Sequence, residues 1–471
     1  MTESLADLCA TDLLARYAAR DLSPVEVTEA VLARVEAMEP TLQALCLLLP
    51  EEAREAARAS EARWRRGEAL ALDGVPATVK ENIATRGVAM PLGTAARRDA
   101  PPSPEDAPAA ARLREAGAIL FARTTMPDYG MLSSGLSSIH PLTRNPWDPT
   151  RTPGGSSAGA GAAAAAGYGP LHLGTDIGGS IRLPAGWCGI VGLKPSNGRV
   201  PVDPPYYGRC AGPMTRSVAD AALAMRELSR PDHRDGTALP PAGLDWLALD
   251  GLDPKGLRLG LLREAGVGLP VDPAVAAVIE DAAARLAAAG ARVEPVAPFL
   301  TRAMLDGLDT FWRERAWSDI GALAPERRAA VLPFIRDWAQ AARGSSGAAV
   351  FAGMSQMGAM RDAALRAIRP FDFLISPVAP IPAFPAELAS PTDDPMRPFE
   401  HIGFTVAFNM SEQPAVAVPA GLTPEGLPVG LQIVGHRFDD LGVLRLARVF
   451  EDLRAPLPRR APAAPPRAPA R

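Results

Sequence analysis

From Gly74 to Leu453 the chain alternates short apolar runs of strand length with stretches of helical length, and that alternation admits few architectures. Gly74–Val79 reads as a buried strand ending at Lys80, and Ala118–Ala122 as a second, with a helix over Glu105–Ala116 between them. Further strands are predicted at Leu171–Gly174, Gly189–Leu193, Leu257–Leu262, Ala291–Val296, Phe373–Ser376, Pro414–Val418 and Val429–Val434. Helices are predicted over Pro273–Ala289, Thr301–Trp317, Arg327–Arg343 and Asp440–Leu453. Repetition of this kind implies an α/β layered fold whose mixed, mainly parallel sheet is covered by helices on both faces.

The first 70 residues read as helices. Ser23-Pro24-Val25-Glu26 is a capping box with proline at the first helical position, opening a helix to about Met38, and a charged helix covers Glu51–Arg66. No repeat period or linker interrupts residues 1–454, so a single large domain is expected there. The Pro/Ala/Arg-rich tail at 455–471 is expected to be disordered.

Composition removes whole classes of function. Hydrophobic residues at 47% and charged residues at 22% are ordinary globular values. A net charge of −4 gives no electrostatic case for a nucleic-acid partner or an acidic membrane surface. Cys9, Cys46, Cys188 and Cys210 share no CxxC spacing, which argues against a disulfide framework and a zinc site. The N-terminus lacks the basic-then-apolar layout of a signal peptide, and no apolar run is long enough to span a bilayer, so a cytoplasmic protein is expected. Of 49 basic residues only Lys80, Lys194 and Lys255 are lysines. Arginine cannot give up its proton in a protein, whereas a buried lysine can become a neutral base, so a lysine kept at the end of a buried strand is a candidate for that role.

Two Gly/Ser clusters stand close together, Gly154-Gly155-Ser156-Ser157-Ala158-Gly159 and Gly174-Thr175-Asp176-Ile177-Gly178-Gly179-Ser180. A small-residue helix to about Ala166 and a strand separate them, so a fold-back can set them side by side. Successive N–H groups in a glycine turn can converge on one point and form an anion-binding nest. A serine at the end of such a nest can attack a carbonyl whose oxygen sits among those donors. A plain tight turn would use the same residues.

Residues 74–82 (GVPATVKEN), 153–159 (PGGSSAG), 174–184 (GTDIGGSIRLP) and 188–195 (CGIVGLKP) together resemble the amidase-signature family. Arg144-Asn145-Pro146-Trp147 and the block Gly426–Gly435 fit it too, so the resemblance covers roughly residues 10–454. Ala158, where glycine is commoner, and Asn197 depart from the pattern without touching its chemistry. The resemblance implies a serine hydrolase of amides with Lys80 as base, Ser156 as bridging serine after a cis peptide bond, and Ser180 as nucleophile. It places the oxyanion among the N–H groups of Ile177, Gly178 and Gly179, with Ser180 as a further donor. Ser157 would orient the relay or simply cap the following helix, Asp176 and Arg182 would buttress the turn, and Lys194 would be structural or superficial. No metal or organic cofactor is implied. The expected partner is a small-molecule amide, with no nucleic acid or membrane, and a homodimer is left open. An amidotransferase A-type subunit, handing ammonia to a partner protein, is the alternative function.

Two other motifs compete. Gly155-Ser156-Ser157-Ala158-Gly159 matches the G-x-S-x-G nucleophile elbow, which requires a strand immediately before the serine; Asn145–Pro153 carries three prolines instead. None of the five histidines sits in a context that would complete that site. Gly159-Ala160-Gly161 faintly matches a dinucleotide fingerprint, but no strand precedes it, and small-residue helix packing accounts for it. The substrate-facing loop is expected within Met126–Ser138.

Overall fold

A computed structural model describes residues 4–458. Among them eleven strands form one sheet: β1 (Leu45–Leu48), β2 (Pro76–Lys80), β3 (Ile119–Thr124), β4 (Leu171–Asp176), β5 (Val191–Lys194), β6 (Cys210–Thr215), β7 (Arg258–Leu261), β8 (Arg292–Pro295), β9 (Phe373–Pro377), β10 (Ala415–Leu422) and β11 (Pro428–Val434). Their order is β1-β3-β2-β4-β6-β5-β10-β11-β9-β7-β8. One continuous sheet makes this a single α/β domain, as the alternation led us to expect. The tail predicted to be disordered lies, from residue 459 on, outside the described residues.

Pairing in the sheet is mixed, but the share of parallel pairs is smaller than expected. β2 runs parallel to β3 and β4, and β7 parallel to β8 and β9. Between these flanks every neighbour is antiparallel, from β4–β6 through β5–β6, β5–β10 and β10–β11 to β11–β9. The centre is antiparallel because β10 and β11 form a hairpin closed by a tight turn, in which the Gly426 amide donates to Thr423 O and the Thr423 amide to Leu427 O. β6, for which the sequence shows no strand signal, follows β5 in the chain and inserts between β4 and β5, antiparallel to both.

Period-2 alternation assigns each strand residue to one face. Ala77, Val79, Leu171, Leu173, Val416, Val418, Leu431 and Ile433 belong to one buried cluster, with residues of helices Val218–Leu228, Pro273–Ala288 and Asp440–Leu453. Leu374, Ala415, Ala417 and Val434 face the other way, onto helices Arg302–Gly321, Gly347–Ile368 and Gly403–Met410. Thr78 and Lys80 alternate with Ala77 and Val79 and so leave the first layer. Lys80 therefore lies on the second face.

The capping box at Ser23 is present, with the Ser23 hydroxyl accepting from the Val25 amide and Glu26 accepting from the Ser23 amide, and its helix runs on to Leu42. Arg327–Arg343, expected as one helix, is two, Pro325–Ala329 and Pro333–Gln340, because Pro333 starts a new first turn. β1 interrupts the region read as all helical. No helix among the described residues is long and apolar enough to cross a membrane.

Helix Ala158–Ala166 explains the dinucleotide-like glycines. A Cβ on Gly159 would lie 2.1 Å from the Ala44 carbonyl oxygen and 2.5 Å from the Thr125 amide, and one on Gly161 would lie 2.8 Å from Pro184 Cβ. These glycines let the helix lie against backbone, and no ligand is needed to account for them. Gly159→Ala should therefore force backbone apart and destabilise the protein by about 1–3 kcal/mol, measured as a lower midpoint in urea unfolding; an unchanged midpoint would contradict this packing.

Candidate active site

The two Gly/Ser clusters do meet. The Ser157 amide donates to the Ser180 carbonyl at 3.2 Å, joining the loop before helix Ala158–Ala166 to the turn after β4. The Gly155–Ser156 peptide is cis. Lys80, the last residue of β2, is fully buried, with its Nζ 2.8 Å from Ser156 Oγ, 3.1 Å from Ser157 Oγ and 3.0 Å from Thr175 Oγ1. Its surroundings are three hydroxyls and no carboxylate within ion-pair distance. A neutral amine suits that set, donating twice and keeping a lone pair for one hydroxyl proton. Burial, helped by the nearby Arg209 guanidinium, drives the Lys80 pKa well below the ordinary lysine value, against the weaker opposing pull of Asp176 and Glu81.

Ser157 is not a helix cap: its side chain makes no capping bond. It receives the Thr175 amide at 3.3 Å, donates to the Thr175 carbonyl at 3.1 Å, and meets Lys80. Thr175, for which no role was expected, touches both Lys80 and Asn82 Nδ2, the latter at 3.0 Å. The motif GVPATVKEN contained Asn82, but only the register of β2 beside β4 shows what it faces.

The turn carrying Ser180 is built around a buried ion pair. Asp176 accepts from Arg182 Nη2 at 2.9 Å and Nε at 3.0 Å, from Asn409 Nδ2 at 2.8 Å, and from the amides of Gly179 and Ile181 at 2.8 and 3.1 Å. Arg182 also reaches the Thr405 carbonyl, Gln432 Oε1 and Asn409 Oδ1. Burial would raise the Asp176 carboxyl, but Arg182, with Lys194 and Asn409, outweighs it and holds the group well below the usual carboxylate range. Both residues hydrogen-bond within the turn and hold its shape.

That network revises one expected donor. The Gly179 amide is engaged by Asp176, so it shapes the loop and does not face the cleft. The amides of Ile177, Gly178 and Ser180 make no hydrogen bond among the described residues. Gly179 itself has φ +122°, and a Cβ there would lie 2.5 Å from Thr405 Oγ1, so only glycine fits. The Thr405 hydroxyl in turn donates to the Gly178 carbonyl at 2.7 Å.

Ser180 is partly exposed and lines a cleft with Tyr129–Ser133, Ile177, Gly178, Trp312, Arg315, Phe399 and Ile402. The expected substrate-facing segment, Met126–Ser138, thus supplies one wall. Lys194 is not superficial: it is fully buried, donating to the Pro195 carbonyl at 2.8 Å. The nucleophile-elbow reading fails on geometry. No strand precedes Ser157, and no histidine hydrogen-bonds Ser156, Ser157 or Ser180; His172, for example, pairs with Thr78 and Gly169. Cys46, Glu81 and His140 place one donor atom each within 4.8 Å of one another, but Glu81 and His140 already pair at 2.8 Å, and burial pushes the Cys46 thiol up, keeping it protonated and a poor ligand.

The site thus combines a buried amine among serine and threonine hydroxyls with an adjoining turn whose amides are unpaired among the described residues. The sequence model of the Amidase family matches residues 26–444, and the chain belongs to the amidase-signature family. It is an amide (C–N) hydrolase of that family. The A-type subunit of the glutamyl-tRNA(Gln) amidotransferase of Chloroflexus aurantiacus is 36% identical over 96% of this chain and 98% of its own. A bacterial aryl acylamidase structure superposes with a TM-score of 0.87 at 30% identity, over 95% of this chain and 96% of that one. The structure of 6-aminohexanoate cyclic dimer hydrolase with substrate gives 0.86 at 28% identity, over 98% and 99%.

Replacing Arg182 by methionine would leave Asp176 as an uncompensated buried charge, and should lower stability by about 3–5 kcal/mol, read from urea unfolding at pH 7. Asp176 has a depressed pKa, so the ion pair contributes fully above the ordinary carboxylate pKa and is lost as pH falls below it. The gap between wild type and Arg182→Met should therefore narrow in strong acid; a constant gap would contradict the assigned charges.

Proposed function

We propose that this protein hydrolyses a carboxylic amide to a carboxylate and ammonia or an amine, with Ser180 as nucleophile, Ser156 as proton relay and Lys80 as neutral base. The observation that carries this reading is Lys80, fully buried with three hydroxyl neighbours and no counter-ion. Ser180 Oγ attacks the amide carbon while its proton passes to Ser156 Oγ, and the Ser156 proton passes to Lys80 Nζ. The carbonyl oxygen gathers negative charge and is held by the amides of Ile177, Gly178 and Ser180. Collapse of the tetrahedral intermediate breaks the C–N bond, and Ser156 returns a proton to the departing nitrogen, so the amine leaves neutral. Water then attacks the acyl-enzyme through the same relay in reverse, releasing the carboxylate. Thr175 and Ser157 fix the lysine, and Asn82 fixes Thr175.

A second reading has its own support. A relative matching nearly the whole chain is one component of an amidotransferase, which would deliver ammonia to a partner. Hydrolysis of small amides by the purified chain alone favours the free amidase; activity appearing only with partner proteins favours the other.

Labelling by a fluorophosphonate tests the chemistry directly. The adduct should map to Ser180 and vanish in Ser180→Ala. Lys80→Arg should slow labelling by roughly 100-fold or more, the loss expected for a missing general base, because a guanidinium keeps its proton. Since burial lowers the Lys80 pKa, the neutral form persists well below pH 10.5, and the labelling rate should fall only when acid finally protonates it. Wild-type labelling in Lys80→Arg would remove the relay.

A further inference from the structure

The cleft in front of Ser180 contains a charge that the protein does not answer. Its walls are largely apolar, with Ile177, Trp312, Phe399 and Ile402 beside the nucleophile. Among them stands Arg315, on helix Arg302–Gly321. Its guanidinium carbon lies 3.9 Å from the centroid of the Tyr206 ring, a cation–π contact that holds the group at the cleft. Other arginines of this helix are neutralised: Arg302 pairs with Glu400 at 2.8 Å and Arg313 with Asp309 at 2.7 Å. Arg315 has no carboxylate within 4.0 Å among the described residues, although Glu314 and Asp319 are close to it in sequence.

A second cation reinforces the field. Arg209 directs its Nη atoms to the Pro204 and Asn82 carbonyls, at 3.0 and 3.2 Å, and pairs with no carboxylate among the described residues. Burial and the repulsion of Arg315 lower its pKa to about 10, with Asp203 and Asp235 acting weakly in the opposite sense. The same Arg209 depresses Lys80. Arg315 therefore sets a guanidinium without a carboxylate partner among the described residues in the cleft itself, with the more deeply buried Arg209 as a second positive charge close enough to repel it. A neutral ligand in this cleft would leave the Arg315 charge unanswered while excluding water from it, whereas a carboxylate would meet a planar donor fork that matches its two oxygens.

We propose that Arg315 anchors an anionic group of the substrate, so that the preferred substrates are amides carrying a carboxylate on an apolar body. The proposal rests on the amide-hydrolase reading of Ser180 and names its substrate class.

Two matched pairs test it: succinamate against butyramide, with the carboxylate on the acyl side, and 4-acetamidobenzoate against 4-methylacetanilide, with the carboxylate on the leaving amine. At least one carboxylate should exceed its neutral partner in kcat/KM by about tenfold or more, the lower end for a hydrogen bond to a charged group. Arg315→Gln should bring that ratio near one, with Arg315→Lys intermediate. Neutral members preferred in both pairs, or a ratio that Arg315→Gln leaves unchanged, would overturn the proposal. If neither pair is turned over, protection of Ser180 from fluorophosphonate by benzoate decides. Protection that is lost in Arg315→Gln supports the anionic subsite, and its absence in the wild type refutes the subsite while leaving the hydrolase intact. A Ser180 that is never labelled removes both readings, and so is distinguishable from failure of the subsite alone.

Discussion

Lys80 is held in the interior by hydroxyl groups instead of a carboxylate, and the rest of the site follows from that choice of partners. A buried ammonium without a counter-ion is expensive, so burial favours the neutral amine. Ser156, Ser157 and Thr175 satisfy its hydrogen bonds without restoring a negative charge that would hold the proton. The strand supplies the placement. Lys80 ends β2, alternation turns it away from the Ala77–Val79 layer, and parallel pairing with β4 brings Thr175 alongside. The Arg209 guanidinium, tied to the carbonyl of Asn82, adds a repulsive charge from a separate part of the chain.

The turn carrying Ser180 depends on a different kind of interaction. Asp176 and Arg182 are both fully buried, and neither would be tolerable alone. Each is also hydrogen-bonded to residues distant in sequence, and this connects the turn to helix Gly403–Met410 through Thr405 and Asn409 and to β11 through Gln432. The antiparallel centre of the sheet is what places β11 beneath the turn. Engagement of the Gly179 amide by Asp176 fixes the loop so that its neighbours' amides are left unpaired toward the cleft. The unpaired amides are in this sense a by-product of the ion pair's geometry.

Much of this was legible in the sequence alone. The α/β class followed from alternation, and Lys80, Ser156 and Ser180 stood in motifs whose local chemistry is short-range. What could not be read was register and long-range closure. Thr175 lies inside a quoted motif, yet its contact with Lys80 exists only because β2 and β4 pair in one register. Gln432 sat in the block Gly426–Gly435 without a role, because its partner Arg182 is 250 residues away. β6 and helix Gly403–Met410 were missed because their residues are buried on all sides and show no amphipathic period. The excess of antiparallel pairs has the same origin, since alternation of strands and helices counts elements without ordering them. Gly179 was misjudged for a subtler reason: glycine spacing marks where a nest can form, but not which of its amides a neighbouring carboxylate will take.

The protonation state of Lys80 is the central claim, and the scarcity of lysine makes it measurable. Protein labelled with ¹³C at the lysine ε carbons should give three side-chain signals, with Lys80 assigned by its loss in Lys80→Arg. Lys255, which is solvent-exposed, gives a surface lysine signal in the same spectrum. The account predicts that the Lys80 signal at pH 8 has the shift of a neutral amine and moves to the ammonium position only at lower pH. A Lys80 signal that stays at the ammonium position up to pH 10 would contradict it, and with it the relay through Ser156 to Ser180.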